Sequence, residues 1–192
     1  MPSDAEAGPP VTPADRTGGA GDPLRRGDTG AMATTFEELT TPRLVLEPVD
    51  ERLARAILAG DLRDLTPAEG WPHDDTKDGL AMAIAHGQPA GWLVNLDGET
   101  IGDCGTHGPP DAAGVVEIGY GLAAPFRGRG YGSEVVAAIT TWLLSRPEVR
   151  VVKATVLSHN AASRRVLEKA GFLLVAEKRR ELVYEISSTS SG

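Results

Sequence analysis

Apolar and polar residues alternate along RLVLEPV (residues 43–49), the period of a strand that buries one face. The next stretch, DERLARAILAG, switches to helical spacing, with Asp50 placed to cap its start and Gly60 to stop it. In TPAE, Thr66, Pro67 and Glu69 match a capping box with proline at the first helical position, and a second helix is expected over 76–86. GWLVNL, ETIGDCGT and GVVEIGYGL read as three successive strands, the first two joined at Asp97-Gly98, a dipeptide suited to a two-residue hairpin turn. A helix over about 130–145 and a strand at RVVKATVL follow. Asn160 then caps the helix AASRRVLEKA, which ends at Gly171, and FLLVAE with ELVYEIS forms a closing hairpin. The order βααβββαβαββ describes an α/β chain whose mixed sheet carries helices on both faces. No internal repeat is visible.

Composition adds boundaries. The 192 residues and 41% hydrophobic content suit one soluble domain with a sizeable core, expected over 36–187. Residues 1–35 are rich in Pro, Gly, Ala and Asp and poor in large apolar side chains, so they read as a disordered tail, with a short flexible C-terminus at 188–192. Asp4, Glu6, Asp15, Asp22 and Asp28 speak against an organelle transit peptide. MATTFEELTTPRLVLEPV already looks like a complete start, which makes Met32 a candidate initiator.

Charge and cysteine usage narrow the partners. A formal net charge of -8 argues against binding duplex nucleic acid, whose phosphates need Lys and Arg. No eighteen-residue apolar run and no secretory leader pattern is present, so no membrane partner and a cytoplasmic location are expected. The single cysteine, Cys104, agrees with a reducing compartment, and His73, His86 and His107 show no metal-ligand spacing with it. No metal is expected.

The chemically informative stretch is FRGRGYGSEVV (126–136), where three glycines lead from a strand into a helix. Unpaired N–H groups and the positive end of the dipole make such a turn suited to an anion. Gly128, Gly130 and Gly132 let the backbone approach a diphosphate, and Arg127 and Arg129 add charge. A dinucleotide fingerprint would need glycine where Ser133 stands, and a Walker loop would need Gly-Lys-Ser/Thr. The residues fit Arg/Gln-x-x-Gly-x-Gly/Ala, filled by Arg127, Gly130 and Gly132.

Here the sequence resembles the GNAT superfamily of acetyl-CoA-dependent N-acetyltransferases, in its RimJ/RimL-like branch. TPRLVLEPV, VEIGYGL and HNAASRRVLEKAGF extend the resemblance over most of 41–186. It implies a central, mixed and largely antiparallel sheet of about seven strands, with acetyl-CoA as cosubstrate and a primary amine as acceptor. The acceptor would be a protein N-terminus or a small molecule, attacking the thioester directly in a ternary complex. Backbone N–H groups from Arg127 through Gly128, Arg129, Gly130, Tyr131 and Gly132 to Ser133 would hold the diphosphate. Leu122 or its neighbour would supply the oxyanion donor. Asn160 would contact pantetheine, cap its helix, or do both.

Two residues are assigned to proton transfer by the same resemblance. Glu117 shares a strand face with Gly119 and Gly121 and is the candidate base; a carboxylate that only orders a water or pairs with a nearby arginine would look the same. Relatives that place a tyrosine on the second CoA-side helix have it where Leu167 stands here, so Ser163 is the candidate donor to the thiolate. An ordinary first-turn helix serine is the plain alternative. Trp71, Asp74 and Asp75 lie in the segment that forms the acceptor wall of such proteins. Dimerisation is common among relatives and is compatible with this chain. A non-catalytic acyl-CoA sensor or regulatory subunit is the competing reading.

Overall fold

The computed structural model describes residues 36–188, so the tail reading, Met32 as initiator and residues 189–192 lie outside the described residues. The chain forms β1 (Leu39–Thr40), β2 (Val45–Pro48), α1 (Glu51–Leu58), α2 (Asp74–Ala85), β3 (Trp92–Leu96), β4 (Glu99–Thr106) and β5 (Val115–Leu122). A 3-10 turn at Ala124–Phe126 leads into α3 (Tyr131–Leu144), followed by β6 (Val151–Leu157), α4 (Ala161–Lys169), β7 (Leu173–Lys178) and β8 (Glu181–Ser187). The strands make one sheet in the order β1-β2-β3-β4-β5-β6-β8-β7. Every neighbouring pair is antiparallel except β5–β6.

Eight strands stand where about seven were expected. The short first one, Leu39–Thr40 against Leu46 and Val45, carries too few residues to show a period. The caps fall where the side chains put them: Asp50 accepts from the N–H of Leu53 at 2.6 Å, and Asn160 from that of Ser163 at 3.0 Å. Asp97 and Gly98 turn the β3–β4 hairpin with φ of 50° and 85°, the left-handed pair that matches strand twist.

TPAE starts no helix. Thr66 O accepts from Thr100 N–H at 2.8 Å and Ala68 N–H donates to Thr100 O at 2.9 Å, so the backbone there is spent on a parallel bridge to the start of β4. The sequence matches a capping box, but the neighbouring strand takes the backbone groups that a helix start would use. The second helix begins at Asp74, ahead of Thr76, whose hydroxyl is turned inward onto Asp103 at 2.6 Å.

Helices cover both faces of the sheet. In β5, the buried Val116, Ile118 and Leu122 share one face, and Gly132 at the start of α3 packs there, where an added Cβ would lie 3.8 Å from Leu122 and 3.4 Å from Val166 of α4. The opposite face holds Glu117, Gly119 and Gly121, and there the N-cap of α2, His73, lies 3.7 Å from the Cβ position of Gly121. Phe36 stacks on the buried Trp92 at 4.1 Å, and Glu37 accepts from the indole N–H groups of Trp92 and Trp142. These contacts tie the start of the described chain to β3 and α3.

Candidate active site

The two parallel strands part company halfway. Register partners between β5 and β6 run only from Val115–Val151 to Glu117–Lys153, although β5 continues to Leu122 and β6 to Leu157. On its other side β5 stays paired to β4 through Leu122, opposite Gly102. His107 N–H donates to Glu117 O and Ala123 N–H to Ile101 O, both at 2.8 Å. In an antiparallel ladder the bonded residues alternate, so 117, 119, 121 and 123 point their backbone groups at β4. The N–H groups of Ile118, Tyr120 and Leu122 therefore face the opening between β5 and β6. Ala123 is spent on β4, which leaves Leu122 as the end-of-strand donor.

At the wide end of this opening stands the glycine-rich turn. Gly128 and Gly130 adopt φ of 74° and 87°, a region that side chains rarely enter, and Gly130 is the N-cap of α3. The first helical backbone bond is Glu134 N–H to Gly130 O at 3.2 Å, so the N–H groups of Tyr131, Gly132 and Ser133 precede the ladder. Gly132 is helical, and its missing side chain permits the close approach of Val166. Arg127 directs its Nε at Leu122 O at 2.8 Å, which clasps the turn to the strand end, while the Arg129 guanidinium sits 5.8 Å from the Phe126 ring centroid. Free N–H groups at a helix start, with no side chain at 128, 130 or 132, fit an anion the size of a diphosphate.

A buttress behind the turn was not visible in the sequence. Glu134, one turn into α3, accepts from Thr41 Oγ1 at 2.6 Å, Arg43 N–H at 2.9 Å and Arg43 Nε at 2.7 Å. Arg43 also donates to Arg129 O at 3.2 Å and lies 4.4 Å over the Tyr131 ring. Burial works to raise the Glu134 carboxyl, yet the bonds from Thr41 and Arg43 and the Arg43 charge outweigh it and hold the group below the usual carboxylate range.

At the narrow end, three polar side chains form a row across three strands. Lys153 Nζ of β6 lies 2.8 Å from Glu117 Oε2 of β5, and His107, just past β4, is the antiparallel partner of Glu117. Its imidazole covers Gly119: an added Cβ there would stand 2.8 Å from Nε2. Burial pushes the Glu117 carboxyl up, but hydrogen bonds from Lys153 and Thr155 and the charges of Lys153 and His107 bring it below its ordinary value. The alternative to a base, a carboxylate that orders a water or pairs with an arginine, named a different cation: the structure pairs Glu117 with Lys153.

Trp71 is buried and donates its indole N–H to Asp103 Oδ2 at 2.8 Å, so its polar edge is engaged within the wall beside Gly121. Burial raises the Asp103 carboxyl against the opposing hydrogen bonds of Thr76 and Trp71. Asp74 and Asp75 are exposed in the first turn of α2, and Asp74 lies 3.8 Å from Lys77. Ser163 is half-buried on α4, and its carbonyl accepts from the Tyr120 hydroxyl at 3.4 Å, which brings a phenol to the same side of the opening. Cys104 is buried on the opposite strand face from His107, with its thiol pushed well above its ordinary value by burial, which disqualifies it as a nucleophile. Among the described residues no group of three His, Cys, Asp or Glu side chains is arranged to hold a metal, and no helix is long and apolar enough to cross a membrane.

The chain matches the acetyltransferase (GNAT) domain family over residues 43–173. It is 30% identical over 151 residues to YjdG, an uncharacterised N-acetyltransferase of Bacillus subtilis, covering 71% of this chain and 89% of the relative. Its fold is similar to that of RimL, a ribosomal L7/L12 alpha-N-protein acetyltransferase solved with coenzyme A, at TM-score 0.59 and 20% identity over 79% of this chain and 98% of that one. Mycobacterium smegmatis RimJ, solved with a CoA disulfide, gives TM-score 0.57 and 24% identity over 81% and 88% of the two chains. The parted strands, the glycine turn ahead of α3 and these matches have one conclusion: the chain belongs to the GNAT family and is an N-acetyltransferase.

Proposed function

We propose that this chain moves an acetyl group from acetyl-CoA to a primary amine, by direct attack of the neutral amine on the thioester while both are bound. The observation that carries this reading is the early end of the β5–β6 pairing at Glu117–Lys153, which leaves one strand edge unpaired from the glycine turn to the row of polar side chains. From Leu122 to Ile118 that edge spans roughly 13 Å of strand, a track for an extended arm whose diphosphate rests on the turn. CoA was bound by the RimL and RimJ neighbours when they were solved, which supports the same occupant here.

In this reading the N–H groups of residues 128–133 hold the diphosphate, while that of Arg127, expected from the sequence to join them, is bonded to Ala124 O at 3.3 Å in the preceding turn. Leu122 N–H, or Tyr120 N–H one step nearer the apex, receives the oxyanion. Asn160 keeps the start of α4 in register beside the arm, and Ser163 returns a proton to the departing thiolate. Glu117 acts on the amine side of the sheet, directly or through a water. Holding an acetyl carbon and an amine in one geometry replaces a bimolecular encounter.

The acceptor class follows from how strong a base the site offers. A carboxylate held below its ordinary value by Lys153 is a weak one. An α-amine, pKa ~8, costs roughly three kcal/mol less to neutralise than a lysine-type amine at ~10.4. A peptide N-terminus or a weakly basic small-molecule amine is therefore the proposed acceptor, with Trp71, Asp74 and Asp75 in its wall. The test is release of free thiol from acetyl-CoA across peptides with free N-termini, polyamines and aminoglycosides. Turnover with the peptides ahead of the polyamines supports the reading. Tight acetyl-CoA binding with no thiol released from any acceptor favours a sensor.

A further inference from the structure

We infer that the His107 imidazole, through Nε2, is the group that takes the proton from the attacking amine, with Glu117 as its positioning and charge-stabilising neighbour. This rests on the acetyl-transfer reading and refines it: Glu117 acts on the amine through the imidazole, which, like the carboxylate, is a weak base suited to an α-amine. The two reactants would occupy different sides of the sheet. The α3 and α4 face holds the turn, Asn160 and Ser163, so the amine enters from the face that bears Glu117, Gly119 and Gly121.

On that face two glycines of β5 leave space, and a histidine ring fills each. His107 Nε2 would stand 2.8 Å from a Cβ on Gly119, and His73 Nδ1 would stand 3.7 Å from one on Gly121. Gly119 is the first position on this face beyond the last β5–β6 register pair, where the unpaired edge begins. An arm that runs along the edge from the turn ends there, since further travel is closed by the Glu117–Lys153 pairing. His107 covers that end and is exposed, whereas His73 stands one alternate position back toward the turn.

Glu117 is less suited to accept the proton itself. Its Oε2 is 2.8 Å from the Lys153 ammonium, and that pairing and Thr155 hold it below the usual carboxylate range. A carboxylate in this state is suited to stabilise an imidazolium beside it. The charged groups around this end of the sheet are Glu117 of β5, whose carboxyl responds to His107 and Lys153, and Lys153 of β6, which in turn responds to Glu117, Glu185 of β8 and Asp111 of the β4–β5 loop. His73 and Asp103 stand further along the same face.

The step balances. As the amine nitrogen bonds to the acetyl carbon, the carbonyl π pair moves to oxygen. One N–H proton passes to His107 Nε2. The oxygen pair then returns, the C–S bond breaks and its electrons leave with sulfur, which takes a proton from water, directly or relayed through the Ser163 hydroxyl, which regains its own proton from that water. The imidazolium gives its proton to solvent.

The experiment compares the full chain with His107→Gln and Glu117→Gln, using acetyl-CoA with a short peptide bearing a free N-terminus and, in parallel, spermidine. His107→Gln should lower kcat/KM by about 10² or more and remove the imidazole-type inflection from its pH profile, with acetyl-CoA affinity within twofold of wild type. Glu117→Gln should move that inflection to lower pH without removing it. The imidazole resonances of His107, followed by NMR against pH, should move the same way in Glu117→Gln with no acceptor present. A wild-type rate and inflection in His107→Gln overturns the proposal, as does an imidazole titration indifferent to Glu117. Failure of the wild-type chain to acetylate either acceptor overturns the transfer reading, and the NMR titration still decides whether Glu117 governs the imidazole.

Discussion

Glu134→Ala tests the buttress behind the glycine turn. The carboxylate joins the start of α3 to the Thr41–Arg43 segment, accepting from one hydroxyl, one backbone N–H and the Arg43 guanidinium. A bond to a charged acceptor contributes ~1.5–3 kcal/mol when well shielded. The Arg43 side chain is 44% exposed against 14% for Glu134, so its share is screened to the surface value of ~0.2–1 kcal/mol. With the Thr41 and backbone bonds kept near the lower end of their range, and allowing for non-additivity, the loss comes to about 2–3 kcal/mol. For a domain of this size that lowers Tm by roughly 5–10 °C. Arg43 would also lose its anchor while still bonded to Arg129 O, so acetyl-CoA affinity should fall about threefold to tenfold, ~1 kcal/mol. Urea unfolding and calorimetry measure the two effects. A change below about 0.5 kcal/mol in stability, the level of an ordinary surface substitution, together with unaltered affinity, would refute the buttress.

Three other outcomes follow from the same geometry. Gly130→Val places a β-branched residue at φ 87° and sets its Cβ 3.4 Å from Arg43 Nη2, so acetyl-CoA binding should be lost in calorimetry; full retention contradicts the loop assignment. Ser163→Ala should slow thiol release with acetyl-CoA affinity unchanged, and a wild-type rate and pH profile would leave Ser163 only its place in the helix. Glu117 and Glu134 are held low in the folded chain, so their contribution is complete above the unfolded carboxylate pKa of ~4.3 and lost as pH falls through the folded values, while half-buried Asp103, raised by desolvation, acts in the opposite sense. Denaturation midpoints below pH 4.3 should fall in wild type more steeply than in Glu134→Gln, and parallel curves would contradict the pairing.

The sequence made most local decisions legible because neighbouring residues take them. Asp50 and Asn160 announce their helices through a side chain that reaches an N–H three residues on, and Asp97-Gly98 announces a turn by its tolerance of positive φ. TPAE was misleading for the converse reason: the strand across from it, at Thr100, took the backbone groups that a helix start would have used. The candidate site divides along the same line. The glycine turn and its helix are contiguous and could be read. Glu134 meets Thr41 and Arg43 across separations of 93 and 91 residues, which no local pattern encodes. The closeness of His107 to Glu117 and Gly119 depends on the β4–β5 register, and the Lys153 partner on the point where β5 and β6 separate.

The central claim is that the backbone from Gly128 to Ser133 receives the diphosphate of coenzyme A, with the attached arm along the free edge of β5. A crystal structure of the chain grown with coenzyme A tests this most directly. The account predicts diphosphate oxygens within hydrogen-bond distance of these N–H groups and the sulfur near Gly119, between the Glu117 and Ser163 sides of the sheet. A cofactor bound elsewhere, or an arm that does not follow the β5 edge, would contradict it.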